Sequence, residues 1–158
     1  MPLKVVAFDS PYDPDEVRRR LVSAVSPGVN FWGTPKPNVG ESGQPPEFLG
    51  KVHDRDFKIR RIIGYRNSFL PIIRGTVVPK LGGGSHVRLV MALHLAIAAF
   101  MIGWFGLLTW LLATSGLLEG ASAVPVILII FGGVMTVGGF VYEANKSEQA
   151  LRRLLGAA

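Results

Sequence analysis

LVMALHLAIAAFMIGWFGLLTWLLATSGLL, Leu89 to Leu118, runs for thirty residues without an Asp, Glu, Lys or Arg. Glu119 interrupts, and Gly120 to Tyr142 then gives twenty-three more uncharged residues. A helix needs about 20 predominantly apolar residues to cross roughly 30 Å of hydrocarbon, so each run is long enough. The expectation is a transmembrane hairpin with spans at about 91–114 and 122–142. The competing reading, two buried helices inside a soluble protein, fails on size: residues 1–88 are too few to wrap two all-round apolar helices of this length.

Working outward, charge sets the orientation. Of the 17 Lys+Arg and 11 Asp+Glu, residues 1–88 hold fourteen and eight, the whole net +6. Beyond the second run Lys146, Arg152 and Arg153 outnumber Glu143 and Glu148. Basic flanks resist translocation, so both termini are expected in the cytoplasm, with a short loop around Leu117–Ala123 outside. MPLKVVAFDSPYDP lacks a basic start followed by an apolar core and does not read as a secretory leader. The absence of cysteine decides nothing about compartment.

The front segment, 1–88, reads as a sheet-rich α+β domain. LKVVAF (Leu3–Phe8) has strand composition. Asp13, Pro14 and Glu16 make a helix start, and Val17, Leu21 and Val25 repeat on one stripe until Pro27-Gly28. VNFWG reads as a further strand. Residues 33–46, rich in proline and glycine, read as a flexible loop. From Phe48 the period is two: FLGKVHD, DFKIRRII, PIIRGTVVP and SHVRLVMAL form an expected antiparallel meander, the last strand running straight into the first span. In Phe57–Ile63 one face carries Phe57, Ile59 and Ile63, with Arg61 the odd member; Lys58 and Arg60 point the other way. The expected class is therefore membrane α+β: a two-helix hairpin plus a cytoplasmic antiparallel sheet carrying one helix. Residues 143–158, EANKSEQALRRLL onward, read as a juxtamembrane amphipathic helix, with Glu148 and Arg152 placed to pair. That helix either lies on the membrane or docks on the sheet.

FKIRRIIGYRNSFLPIIRG (Phe57–Gly75), with GGGSHVRLVMALH and the E-A-x-x-S-x-x-x-L pattern at Glu143–Leu151, resembles an uncharacterised family of small bacterial two-span membrane proteins. These share an F-x-I-x-R-x-I-x-Y-R-N-S-F-x-P-x-I-x-G segment, a Gly-rich turn, a strand and two spans. The resemblance implies a bacterial source and this layout, and brings no activity with it.

Small residues Ala96, Ala99 and Gly103 in the first span, and Gly132, Thr136 and Gly139 in the second, suggest the facing stripes of a close helix pair. Neither span holds an Asp, Glu, Lys or Arg, which disfavours a lone transporter or channel. His94 is the one titratable span residue and the only candidate cofactor ligand, for a haem or chlorin metal. His53, Asp56 and His86 are weak metal candidates, since their spacing matches no defined site and turn chemistry accounts for HDRD (His53–Asp56). GGGS lacks the lysine of a phosphate loop and reads as a turn. Ser68 has no local base to activate it.

The functional expectation is a non-enzymatic integral membrane adaptor or accessory subunit in the bacterial inner membrane, without a cofactor. Its basic residues Lys58, Arg60, Arg61, Arg66, Arg74 and Arg88 would meet anionic lipid or an acidic partner. The alternatives are a membrane-surface enzyme using His53, Asp54, Asp56 or His86 on a lipid or small acid, and a pigment or haem subunit using His94. Partners implied are the bilayer, a larger membrane complex or a second copy; nucleic acid is disfavoured.

Overall fold

The structure, a computed structural model, describes residues 2–27, 45–65, 67–115 and 123–157. The expected strand VNFWG, most of the 33–46 loop, Arg66 and the Leu117–Ala123 connection with Glu119 (all but Ala123) lie outside the described residues.

Six strands form one sheet: β1 (Leu3–Ser10), β2 (Val25–Pro27), β3 (Phe48–Val52), β4 (Asp56–Arg61), β5 (Ile72–Pro79) and β6 (Ser85–Ala92). Their spatial order is β1-β6-β5-β4-β3-β2. The meander is antiparallel as its alternation predicts, but β2 pairs parallel to β3, so the sheet is mixed rather than purely antiparallel. The helix α1 (Pro14–Ala24) carries the chain from β1 at one edge to β2 at the other. Asp13 starts it as expected, its carboxylate accepting the Glu16 N–H at 2.7 Å with Pro14 in the first turn. The β5–β6 turn bends through Gly82, Gly83 and Gly84, all at positive φ. At Gly84 a side chain would also sit 2.5 Å from the Ser10 carbonyl, so only glycine fits.

One sheet face is the core. Phe8, Val87, Leu89, Met91, Ile73, Val77, Phe57, Ile59 and Phe48 point into it, and the Phe57 ring lies over Gly75, its partner across the strand pair. Two helices cover this face. One is α1, through Val17 and Leu21. The other is the C-terminal half of α3 (Val124–Leu154), through Phe140, Ala144 and Leu151, followed by Leu155.

The second apolar run and the amphipathic helix that continues it form one unbroken helix of 31 residues, about 47 Å long at 1.5 Å per residue. Of the two options for residues 143–158, docking on the sheet is the one adopted. The apolar edge Ala144, Leu151 and Leu155 is fully buried there. Lys4 of β1 fastens it further, with 2.7 Å to Glu148 and 2.5 Å to Asn145, while the Ser10 hydroxyl donates to the Leu155 carbonyl at 2.7 Å.

β6 runs into α2 (Leu95–Ser115) across only Leu93 and His94. The first uncharged run therefore supplies two elements: Leu89 and Met91 fill the sheet core, and the helix begins at Leu95. Both α2 and the apolar part of α3 are long and apolar enough to cross a membrane. Their contact differs from small-against-small. Gly132 and Thr136 do face α2, but α2 answers with Ala98, Met101, Phe105 and Leu108, while Ala96, Ala99 and Gly103 are exposed. The Phe105 ring packs over the hydrogen face of Gly132, a large side chain filling the space a missing one leaves. Gly139 meets Phe69 of the β4–β5 connection instead of α2.

Candidate functional site

The odd arginine of β4 has its reason. β4 alternates, so Arg61 points to the core face with Phe57 and Ile59, at the strand end nearest the helical hairpin. There it meets Glu143, which is completely buried where α3 leaves its apolar stretch. Arg61 Nη2 donates to Glu143 Oε2 at 2.5 Å, and the Tyr65 hydroxyl and the Asn67 amide (3.2 Å) both donate to Oε1. Asn67 also accepts the Phe69 N–H through its side-chain oxygen at 2.9 Å, which closes the turn that presents it. The segments Phe57–Gly75 and Glu143–Leu151 meet at this point.

Burial disfavours the Arg61 charge, but the hydrogen bond and attraction from Glu143 outweigh it and raise its pKa above the usual arginine value. Donation to Glu143, together with burial, raises the Tyr65 phenol. Two polar atoms beside the cluster, Arg61 Nε and the Ser147 hydroxyl, are buried without a hydrogen-bond partner. A phenol raised on folding contributes stability that is fully present below its unfolded value, near 10, and lost as pH rises through the higher folded value. Difference absorbance between wild type and Tyr65→Phe should show a tyrosine ionising above pH 10, and Glu143→Gln should bring it down. Identical curves would contradict the contact.

Beside the cluster opens a groove of about 780 Å³ between α2 and α3. Tyr65, Asn67 and Ser68 are among its polar lining residues, and Phe100, Met101, Val134 and Met135 among its apolar ones. Lys146 lies over the Tyr142 ring at 4.5 Å, within electrostatic reach of Tyr65 and Arg61.

The remaining basic residues lie on the opposite sheet face. Register aligns Lys51, Lys58 and Arg74 side by side across β3, β4 and β5, all exposed, and the row continues into Val90 and Val5. Arg60 shares this face one step nearer the hairpin, half-buried, with its pKa lowered by that burial. Arg88 lies one step farther away, opposite Thr76 and Ala7, and beyond it Asp9 holds both Lys80 (2.5 Å) and His86 (2.7 Å). Of the six basic residues expected to act together, Lys58, Arg60, Arg74 and Arg88 share one face, Arg61 is turned inward onto Glu143, and Arg66 is not described. Lys51 belongs with them; its place opposite Lys58 across the His53–Asp56 turn was legible in the hairpin spacing.

The metal candidates are not gathered. His86 pairs with Asp9 on β1, while His53 and Asp56 close the β3–β4 turn two strands away, the His53 N–H donating to the Asp56 carbonyl at 2.7 Å. Among the described residues no three His, Asp or Glu side chains come together. His94 Nδ1 accepts the Ala96 N–H at 3.2 Å and so caps the first turn of α2.

No protein-family model matches the chain, and neither a curated protein nor a solved structure does.

Proposed function

We propose that the protein is a non-enzymatic membrane adaptor or accessory subunit, held in the bacterial inner membrane by the α2–α3 hairpin with both termini cytoplasmic. Its exposed basic row rests against the anionic headgroups of the inner leaflet. The observation that carries this reading is the grading of charge along the sheet. The row Lys51–Lys58–Arg74 lies two residues from the Ala92 row where α2 departs, about 7 Å at 3.3 Å per residue. No acid lies in that row. Asp56 and Asp9 lie farther along, where an anionic surface is screened over about 8–10 Å. Like charges directly opposite across strands repel, so the row is favoured when an external anion faces it.

A fragment of residues 1–88 cannot test this, because it would cut β6 and remove the α3 residues that complete the core. The full chain can. It has no cysteine, so Thr76→Cys places a single environment-sensitive fluorophore on the same face, one step beyond the row. In nanodiscs containing phosphatidylglycerol the probe should be quenched by headgroup quenchers, and less so in phosphatidylcholine. Lys51→Glu/Lys58→Glu/Arg74→Glu should abolish the difference. At about 1 kcal/mol per charge at most, the three residues contribute no more than ~3 kcal/mol, weakened by salt. Equal quenching in both lipids ends the lipid reading. Co-purification of an acidic protein lost in the same triple variant would replace it with a protein partner.

A further inference from the structure

The groove beside Glu143 has a chemistry of its own. Its lining is apolar along α2 and α3 and polar at Tyr65, Asn67 and Ser68, and Lys146, outside the lining, lies within electrostatic reach of Tyr65. Arg61 pairs with Glu143, and among the described residues Lys146 has no ion pair. Gly138 of α3 lines the groove, and a Cβ added there meets nothing within 4 Å. Glycine inside a helix costs stability relative to alanine.

We propose that this groove holds one acyl chain of an anionic phospholipid, its phosphate placed beside Lys146, Asn67 and Ser68. The inference rests on the membrane reading above and adds a specific lipid site to it. Charge selects the occupant. Between Leu89 and Tyr142 the sequence has a single acid, Glu119, so the hairpin of a second copy has almost nothing anionic to bring to Lys146. A phospholipid joins a phosphate to a hydrocarbon chain, matching the polar and apolar parts of the lining. Lys146 is matched most favourably by an anion whose hydrocarbon chain also fills the apolar part of the groove.

The test uses the full chain, extracted in mild detergent, exchanged into nanodiscs of equal phosphatidylglycerol and phosphatidylcholine, and examined by native mass spectrometry after release. One retained phosphatidylglycerol per chain is expected. Gly138→Leu fills the groove from a position with room for it and should cut that adduct about tenfold, with the melting temperature unchanged or raised. Lys146→Glu should abolish the preference for phosphatidylglycerol while α3 stays docked. Equal retention by wild type and Gly138→Leu overturns the site, as does equal retention of both lipids by wild type. A second chain in place of the lipid mass would give the groove to a dimer and also overturn it. Recovery of the protein in the aqueous fraction without detergent would remove the membrane reading itself; a membrane-extracted protein with no adduct removes only the lipid site.

Discussion

Glu143→Ala should destabilise the protein by about 3 kcal/mol, read as a fall in the midpoint of thermal or denaturant unfolding in detergent. The carboxylate is wholly buried and accepts from three donors, and Arg61, whose side chain is 19% exposed, cannot turn fully to water. Removing one partner of a buried ion pair typically costs about 3–5 kcal/mol, because the other charge stays behind unpaired. The lower end is expected here, since Arg61 keeps some water contact and Tyr65 is half exposed. A double variant decides whether the loss is the stranded charge. Glu143→Leu with Arg61→Leu replaces both charges by packing side chains and should recover most of the stability. A single variant costing less than about 1 kcal/mol would mean the cluster is open to solvent.

Leu151→Ala should cost a further amount of similar size, about 3 kcal/mol, although it lies in what composition presents as a tail. Leu151 is fully buried against the sheet, and deleting a buried leucine side chain loses transfer energy and leaves a cavity, typically about 2–5 kcal/mol. The matched control is Leu107→Ala on α2, half exposed and outside the sheet core, which should change unfolding by less than about 0.5 kcal/mol. Equal effects at the two sites would mean that the end of α3 is not part of the domain core.

β5 and β6 were legible because each alternates over five or more residues, β4 because Asp56 to Ile59 does, and the start of α1 was legible because its cap is chemical and local. β2 was not: three residues give no period, and its pairing is set by the far side of the sheet. The facing side of α2 was not legible either, because a helix apolar all round offers no stripe to read. Of the small residues, Gly132 receives Phe105 and Thr136 reaches Met101, whereas Gly139 meets Phe69 and Ala96, Ala99 and Gly103 are exposed. At the site, half the signal was visible. Arg61 on an apolar strand face called for a buried acid, and Glu143 stands at the first position after an uncharged run. Joining them required knowing that α3 continues without a break and returns to the sheet, a contact across 82 positions that no local pattern encodes. Tyr65 and Asn67 depend on that same junction.

The continuity of α3 has a consequence for the order of biosynthesis. All six strands leave the ribosome before Phe140, Ala144, Leu151 and Leu155, yet those residues cover the inner face of the sheet. Until they arrive, Val87, Leu89 and Met91 confront water or whatever chaperone shields them. The sheet can therefore complete its core only after both apolar helices have been synthesised, which ties its folding to theirs.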